Sequence, residues 1–205
     1  MYYAGARQIL PSAVEKPGKR RTPGACTESR VDVGADQIGD RRSGLLTPEE
    51  IDALVDGIHS HSGDESRHAS GWSASNVDVY QVNCTYYAAL GADDDAYLLA
   101  RAVQFFTPGI PQVYYVGLLA GGNDMELLAR TGVGRDINRH HFTRAEIDGE
   151  LGRPVVRALA DLIRLRNSHP AFQGTFEVTG QGSELVMRWT NQDASATLAA
   201  DVAAP

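Results

Sequence analysis

An α/β fold is what this sequence predicts, and three observations predict it. Two amphipathic stretches of helical period, residues 92–106 and 154–167, flank the apolar run GIPQVYYVGLLAGGND, which stops abruptly at glycines. The polar segment GRDINRHH lies beyond it and has no periodicity of its own. After residue 174 the pattern changes to short alternating segments, the mark of antiparallel strands. Helix, strand, polar loop and helix in succession belong to parallel-sheet architecture. A strand whose C-terminal end opens into a long polar loop is what a (β/α)8 barrel shows at its catalytic face, where the βα loops build the site.

Each element has its local reason. Residues 1–45 hold EKPGKRRTPGACTESR, rich in Pro, Gly and charge, with no sustained period, and read as irregular. In LTPEEIDALVDGIHSH, Thr47 can cap, Pro48 suits the first helical position and Glu50 completes a capping box. Ile51, Leu54, Val55 and Ile58 then form one apolar face. Residues 60–75 turn to His, Ser, Gly and Asp, which is loop chemistry. NVDVYQVN sets Val77, Val79 and Gln81 in alternation with Asp78, Tyr80 and Val82 and suits a short strand or extended loop. ADDDAYLLARAVQFFTPG predicts a helix with carboxylates at the positive end of its dipole, closed by Pro108 and Gly109. A strand is expected near residues 112–116. The helix over 154–167 buries Val155, Val156, Leu159, Leu162 and Ile163 and is stopped by His169 and Pro170. In the tail, residues 175–178 and 184–189 alternate as strands.

Composition excludes several classes of function. At 205 residues the chain is long enough to bury a sizeable core, as one large domain or two small ones. Its formal charge of −7 disfavours a phosphate-backbone partner, so no nucleic acid is expected. No apolar run approaches a membrane span, and the N-terminus lacks the apolar middle of a signal peptide, so the expected location is cytoplasmic. The two cysteines, Cys26 and Cys84, have no CxxC spacing and need only be reduced thiols, Cys84 a small buried hydrophobe.

Most polar clusters have a simple structural reading. The acidic run at 93–95 reads as helix-start carboxylates. His59 and His61, like His140 and His141, read as solvated or packed, since no Cys/His/Asp set has ligand spacing; no metal and no cofactor is expected. Gly117, Gly121 and Gly122 lack a phosphate-loop pattern. Two stretches point to a ligand instead. In SNVDVYQVNCTYYAALG, Asp78, Tyr80, Gln81 and Asn83 are interleaved with apolar residues beside Tyr86 and Tyr87, and aromatic, carboxamide and carboxylate together are how sugars are bound. In GRDINRHH an Arg beside Asp, Asn and His can donate in a planar fork to hydroxyls or phosphate; a surface loop of mixed charge is an equal reading on chemistry alone.

SNVDVYQVNCTYYAALG, FFTPGIPQVYYVGLLAGGNDMELL and GRDINRHHFTRAEI, followed by RPVVRALADLIRLRN, resemble the C-terminal half of the sucrose phosphorylases in the α-amylase-like glycoside hydrolase family 13. The match is nearly continuous over residues 31–171 and looser to 197. The resemblance implies a (β/α)8 TIM barrel with a small inserted domain before its last α/β unit and a β-domain after it. On this reading residues 28–91 are the inserted domain with the acceptor-site loop, 92–171 the last barrel unit, and 172–205 a truncated β-domain.

The same resemblance implies a hexosyltransferase that works by retaining double displacement. An Asp nucleophile takes the glucosyl group from sucrose, a Glu serves as acid then base, a third Asp steadies the transition state, and phosphate is the acceptor. Sucrose, phosphate, glucose 1-phosphate and fructose are the implied partners, and full-length members leave room for a homodimer. Arg135 would lie in the glucosyl subsite. Asp78, Tyr80 and Gln81 would lie on the acceptor-site loop, with Val77 and Val79 shaping its wall. Relatives that act on sucrose 6-phosphate or glucosylglycerate share these motifs. No catalytic residue is assigned: the nucleophile and acid/base Glu belong to a preceding part of the family's chain, and Ala25 and Cys26 stand where its His and third Asp are expected. Residues 1–27 are atypical, and a shifted reading frame upstream of Val31 would explain both the substitution and the sharp onset of the match. The chain by itself is expected to be inactive; a non-catalytic carbohydrate-binding remnant is the reading from another class.

Overall fold

The structure, a computed structural model, describes residues 31–32, 47–70 and 81–203. Its first elements are a two-residue strand β1 (Val31–Asp32), helix α1 (Pro48–His61), a single turn α2 (Glu65–His68) and strand β2 (Gln81–Val82). Thr47 caps α1 as expected: its side chain accepts from the Glu50 amide at 3.2 Å, and Glu50 accepts from the Thr47 amide at 2.8 Å. The apolar face of α1 lies over β2 and the turn α3 (Tyr86–Ala89), where Ile58, Val82, Cys84, Ala88 and Ala89 are buried together. β1 and β2 pair antiparallel, with Val31 opposite Val82 and Asp32 opposite Gln81.

Two longer helices form the middle of the molecule. Helix α4 (Asp94–Phe106) starts at Asp93, which accepts from the Ala96 amide at 2.9 Å, so the acidic run is indeed helix-start chemistry. The chain continues through α5 (Tyr115–Leu118), α6 (Met125–Thr131), a 3-10 turn at Gly134–Asn138, α7 (Arg144–Glu150) and α8 (Pro154–Ser168). Between α4, α5 and α8, Tyr97, Phe105, Leu119, Ala120, Val155, Val156 and Leu159 make one buried cluster. Tyr97 is fully buried and its hydroxyl donates to the Gly117 carbonyl at 2.6 Å, joining α4 to α5.

A second core lies under the C-terminal sheet. Strands β3 (Thr175–Thr179), β4 (Glu184–Asn191) and β5 (Ala194–Asp201) form an antiparallel sheet with β4 in the centre. Alternation puts Leu185, Met187 and Trp189 on its inner face, against Val103 and Phe106 of α4, Val202, and the 3-10 turn Pro170–Gln173 with Ala171 and Phe172. The Trp189 indole donates to the Phe106 carbonyl at 2.6 Å. Gly174 makes the close approach at the sheet's edge: a Cβ there would lie 1.9 Å from the Thr190 carbonyl oxygen.

The expected strand over 112–116 is a correction. Tyr114 is extended, and α5 begins at Tyr115, where the Leu118 amide donates back to the Tyr114 carbonyl at 2.9 Å. A strand exists through its ladder partners, and among the described residues no strand pairs with this stretch. A helical turn satisfies the same backbone groups locally. The observed architecture is therefore helical with two small antiparallel sheets, and no parallel sheet is present among the described residues. No described helix is long and apolar enough to cross a membrane.

Candidate functional site

Arg135 sits on the 3-10 turn Gly134–Asn138 with its side chain exposed, while Ile137 and Asn138 are fully buried. Ile137 joins Ala69 and Leu128 in a small apolar cluster beneath the turn. Its carbonyl accepts from the Asp124 amide at 2.6 Å. The turn thus presents one cation from a base gripped on the opposite side.

Gln81 lies in β2, and the residues after it run directly into the same region. The Asn138 carboxamide donates to the Cys84 carbonyl at 3.4 Å. Asn123 accepts from the Thr85 amide at 2.9 Å and donates to Glu65 at 3.1 Å and to the Cys84 sulfur at 3.6 Å. Asn83 donates to the Ala69 carbonyl at 3.1 Å. The strand carrying Gln81 and the turn carrying Arg135 are therefore stitched to a common framework of carboxamides, Asn83 and Asn138 buried and Asn123 half-buried. Cys84 within it is fully buried, and burial pushes its thiol up to about 12, which makes it a packing residue rather than a nucleophile. Val77, Asp78, Val79 and Tyr80 lie outside the described residues, as does Cys26.

Gly121 is required by this framework. A Cβ there would lie 2.8 Å from Val116 Cγ1 and 3.1 Å from the Val116 carbonyl oxygen, which already accepts from the Gly121 amide. Three residues on, Asp124 caps α6 through the Leu127 amide at 2.7 Å and meets His140 Nδ1 with its other oxygen at 2.6 Å. His140 Nε2 faces Glu146 at 3.4 Å, and the Tyr115 hydroxyl donates to the His140 carbonyl at 2.9 Å. Burial opposes the His140 charge, but the hydrogen bond and charge of Asp124, then those of Glu146, raise its pKa overall. His59 has the contrary environment: it packs against Ser66 at 2.6 Å, and burial lowers its pKa. Among the described residues no three His, Cys, Asp or Glu side chains gather into a metal-binding group.

Sequence reasoning did not single out Asn123, Asp124, His140 or Glu146 as supports. The signals were present as caps: ND before MELLAR, and T-R-A-E, in which Thr143 and Glu146 form a capping box. What no local pattern gives is that the Asp of one cap and the Glu of the other meet on one histidine.

No family model matches the chain. It is 62% identical over 160 residues to a sucrose phosphorylase of Agrobacterium vitis, covering 78% of this chain and 32% of that protein. To a sucrose phosphorylase of Bifidobacterium adolescentis it is 53% identical over 169 residues, covering 82% of the chain and 34% of the relative. The crystal structure of sucrose 6F-phosphate phosphorylase from Thermoanaerobacter thermosaccharolyticum superposes with a TM-score of 0.70 at 40% identity, over 84% of this chain and 34% of that one. Likeness of this degree in both sequence and fold is common descent. The chain is a homologue of the sucrose phosphorylases, and it spans about a third of the length of the curated relatives it matches.

Proposed function

We propose that this chain is the C-terminal portion of a sucrose phosphorylase-type glucosyltransferase, carrying part of the sugar and acceptor site without the catalytic carboxylates. The observation that supports this best is the 62% identity over 160 residues to a sucrose phosphorylase; within the structure, the bond from Asn138 to the Cys84 carbonyl joins the Arg135 turn to the segment that follows Gln81. In the whole enzyme sucrose and phosphate become glucose 1-phosphate and fructose, with cytoplasmic location. The guanidinium of Arg135 presents a rigid fork of donors to the glucosyl hydroxyls. Asp78, Tyr80 and Gln81, walled by Val77 and Val79, alternate between contacts to the fructosyl group and to phosphate. Residues 92–171 supply the last α/β unit of the barrel, 28–91 the inserted domain and 172–205 the start of the β-domain. Residues 1–27 stand outside that plan. The 40% identical solved relative named for sucrose 6F-phosphate keeps a phosphorylated acceptor as the second reading.

The test is complementation. The 205-residue chain should release no glucose 1-phosphate from sucrose and phosphate. Mixed with a second polypeptide comprising the part of a sucrose phosphorylase it does not span, it should do so, and Arg135→Ala should remove that activity. Running sucrose 6-phosphate in parallel assigns the acceptor. Turnover by the chain alone would overturn the placement of the carboxylates elsewhere; saturable sugar binding with no turnover in any mixture would favour a binding remnant.

A further inference from the structure

We propose that His140, clamped between Asp124 and Glu146, is a positioning residue that fixes the 3-10 turn bearing Arg135, and that it does so as the imidazolium. The functional consequence rests on the reading of Arg135 as a sugar-site residue, while the clamp itself stands on geometry. His140 Nδ1 lies 2.6 Å from Asp124 Oδ2, and His140 Nε2 lies 3.4 Å from Glu146 Oε1. An ionised carboxylate can only accept hydrogen bonds, and a neutral imidazole carries a proton on one nitrogen only. With carboxylates facing both nitrogens, the neutral ring must set a lone pair against one anion. Only the charged ring satisfies both partners.

What the clamp holds follows from the bonds around it. Asp124 spends one oxygen on His140 and the other on the Leu127 amide, and its own amide donates to the Ile137 carbonyl at 2.6 Å. His140 and Leu127 thus hold the Asp124 side chain from both oxygens, at the residue whose backbone amide pins the turn two residues from Arg135. Glu146 is fixed from its own side, because its carboxylate accepts from the Thr143 amide at 2.6 Å. The imidazole stands edge-on to Phe142, with ring centroids 4.5 Å apart, so it has little room to turn. The other titratable and charged groups near it act weakly on this balance. Tyr115, whose hydroxyl donates to the His140 carbonyl, is held neutral, its pKa pushed up to about 12 by burial and then by Tyr114. Arg130 on α6 acts on Asp124, and Arg139 on Tyr115. The direction of the His140 shift, upward, agrees with the geometry.

The sign is fixed by linkage. A folded pKa above the unfolded value means that the clamp is fully present below the unfolded pKa, near 6.5, and is lost as pH rises through the folded value. On the acid side Asp124 and Glu146 are shifted downward, so their share is lost only as pH falls through their folded values, below 3.8 and 4.5 respectively. The turn should thus be held best in mildly acidic solution.

The experiment uses the full 205-residue chain and needs no ligand. NMR titration of the His140 ring is combined with amide hydrogen exchange at Asp124 and in the 134–138 turn, corrected for the intrinsic pH dependence of exchange. Opening at these amides should increase about tenfold for each pH unit by which the folded His140 pKa exceeds the free value, with the step centred on the measured titration. His140→Gln should abolish the step and leave the amides at the high-pH rate, while amides around Leu159 are unchanged. Glu146→Gln keeps the ring and the cap and should lower the His140 midpoint, so it decides the matter even where the first variant folds poorly. A His140 midpoint at or below that of a free imidazole, or a pH step that survives in His140→Gln, would overturn the proposal. A chain that shows the step, but whose Arg135→Ala variant keeps full activity in the complemented mixture, would instead sink the sugar-site reading and leave the clamp standing.

Discussion

Replacing Trp189 by Phe asks how firmly the C-terminal sheet is joined to the helices. Trp189 is nearly buried, with its ring 5.8 Å from Phe172 and 5.1 Å from Phe176, and the Arg166 guanidinium stands 5.1 Å over it. Its indole donates to the Phe106 carbonyl at the end of α4, at 2.6 Å. Phenylalanine keeps an aromatic face but has no donor. Leaving a buried carbonyl without that partner costs about 1–3 kcal/mol. The smaller ring leaves a gap that the surroundings close only in part, adding roughly 1 kcal/mol. Together that is about 2–4 kcal/mol, and for a chain of this size each kcal/mol lowers the melting temperature by roughly 2–4 °C. Thermal unfolding followed by far-ultraviolet circular dichroism should therefore show a fall of roughly 5–15 °C. Arg188→Ala, on the exposed face of the same strand, serves as the control and should shift the melt little. A Trp189→Phe variant that melts with the wild type would show that the sheet and α4 do not unfold as one unit, and that the hydrogen bond carries no stability.

Two further outcomes follow from the packing. Gly121→Ala should cost about 1–3 kcal/mol, because its new methyl meets Val116 Cγ1 at 2.8 Å, whereas Gly122→Ala, with nothing within 4 Å, should be near neutral; equal melting temperatures for the two would refute the close approach. Cys84, fully buried with its thiol pushed up to about 12, should react with an aromatic disulfide reagent only as the chain unfolds in urea; rapid native-state labelling mapped to Cys84 by mass spectrometry would contradict its burial.

The elements that were legible in the sequence are those whose causes are local. Thr47 and Glu50 write a capping box within four residues, and Asp93 and Pro154 mark helix starts by their own side-chain and ring chemistry. The strand positions of Leu185, Met187 and Trp189 follow from a period of two. The helix faces of α4 and α8 were likewise readable, because an apolar stripe has one stable use in water. The site was legible only in part. Arg135 and Gln81 were singled out, but Asn123, which joins Thr85, Glu65 and Cys84 across separations of 38 to 58 residues, has no sequence period to announce it. The same holds for His140, whose partners arrive from two different helix caps.

Residues 60–75, read as loop chemistry, hold the single helical turn α2; the other misread stretch, residues 112–116, failed for a reason that bears on the function. Val113, Tyr114, Tyr115 and Val116 are written as a strand to be buried on both faces, a pattern that specifies a fold only when neighbouring strands are supplied. In the structure the backbone closes a helical turn at Tyr115, and the apolar side chains do not all find cover. Ile110 is 74% exposed, and Tyr115 and Leu118 are each about two-fifths exposed, within and on either side of the expected strand. Exposed apolar groups scattered singly need no account, but three within nine residues of a strand-like sequence do. The curated relatives are about three times as long as the part this chain matches. On the proposed reading, their remaining length holds the strands that would pair with this stretch and cover those side chains. The misread strand and the uncovered residues then have one cause. It is also the reason that Arg135→Ala is informative about Arg135 only in the complemented mixture.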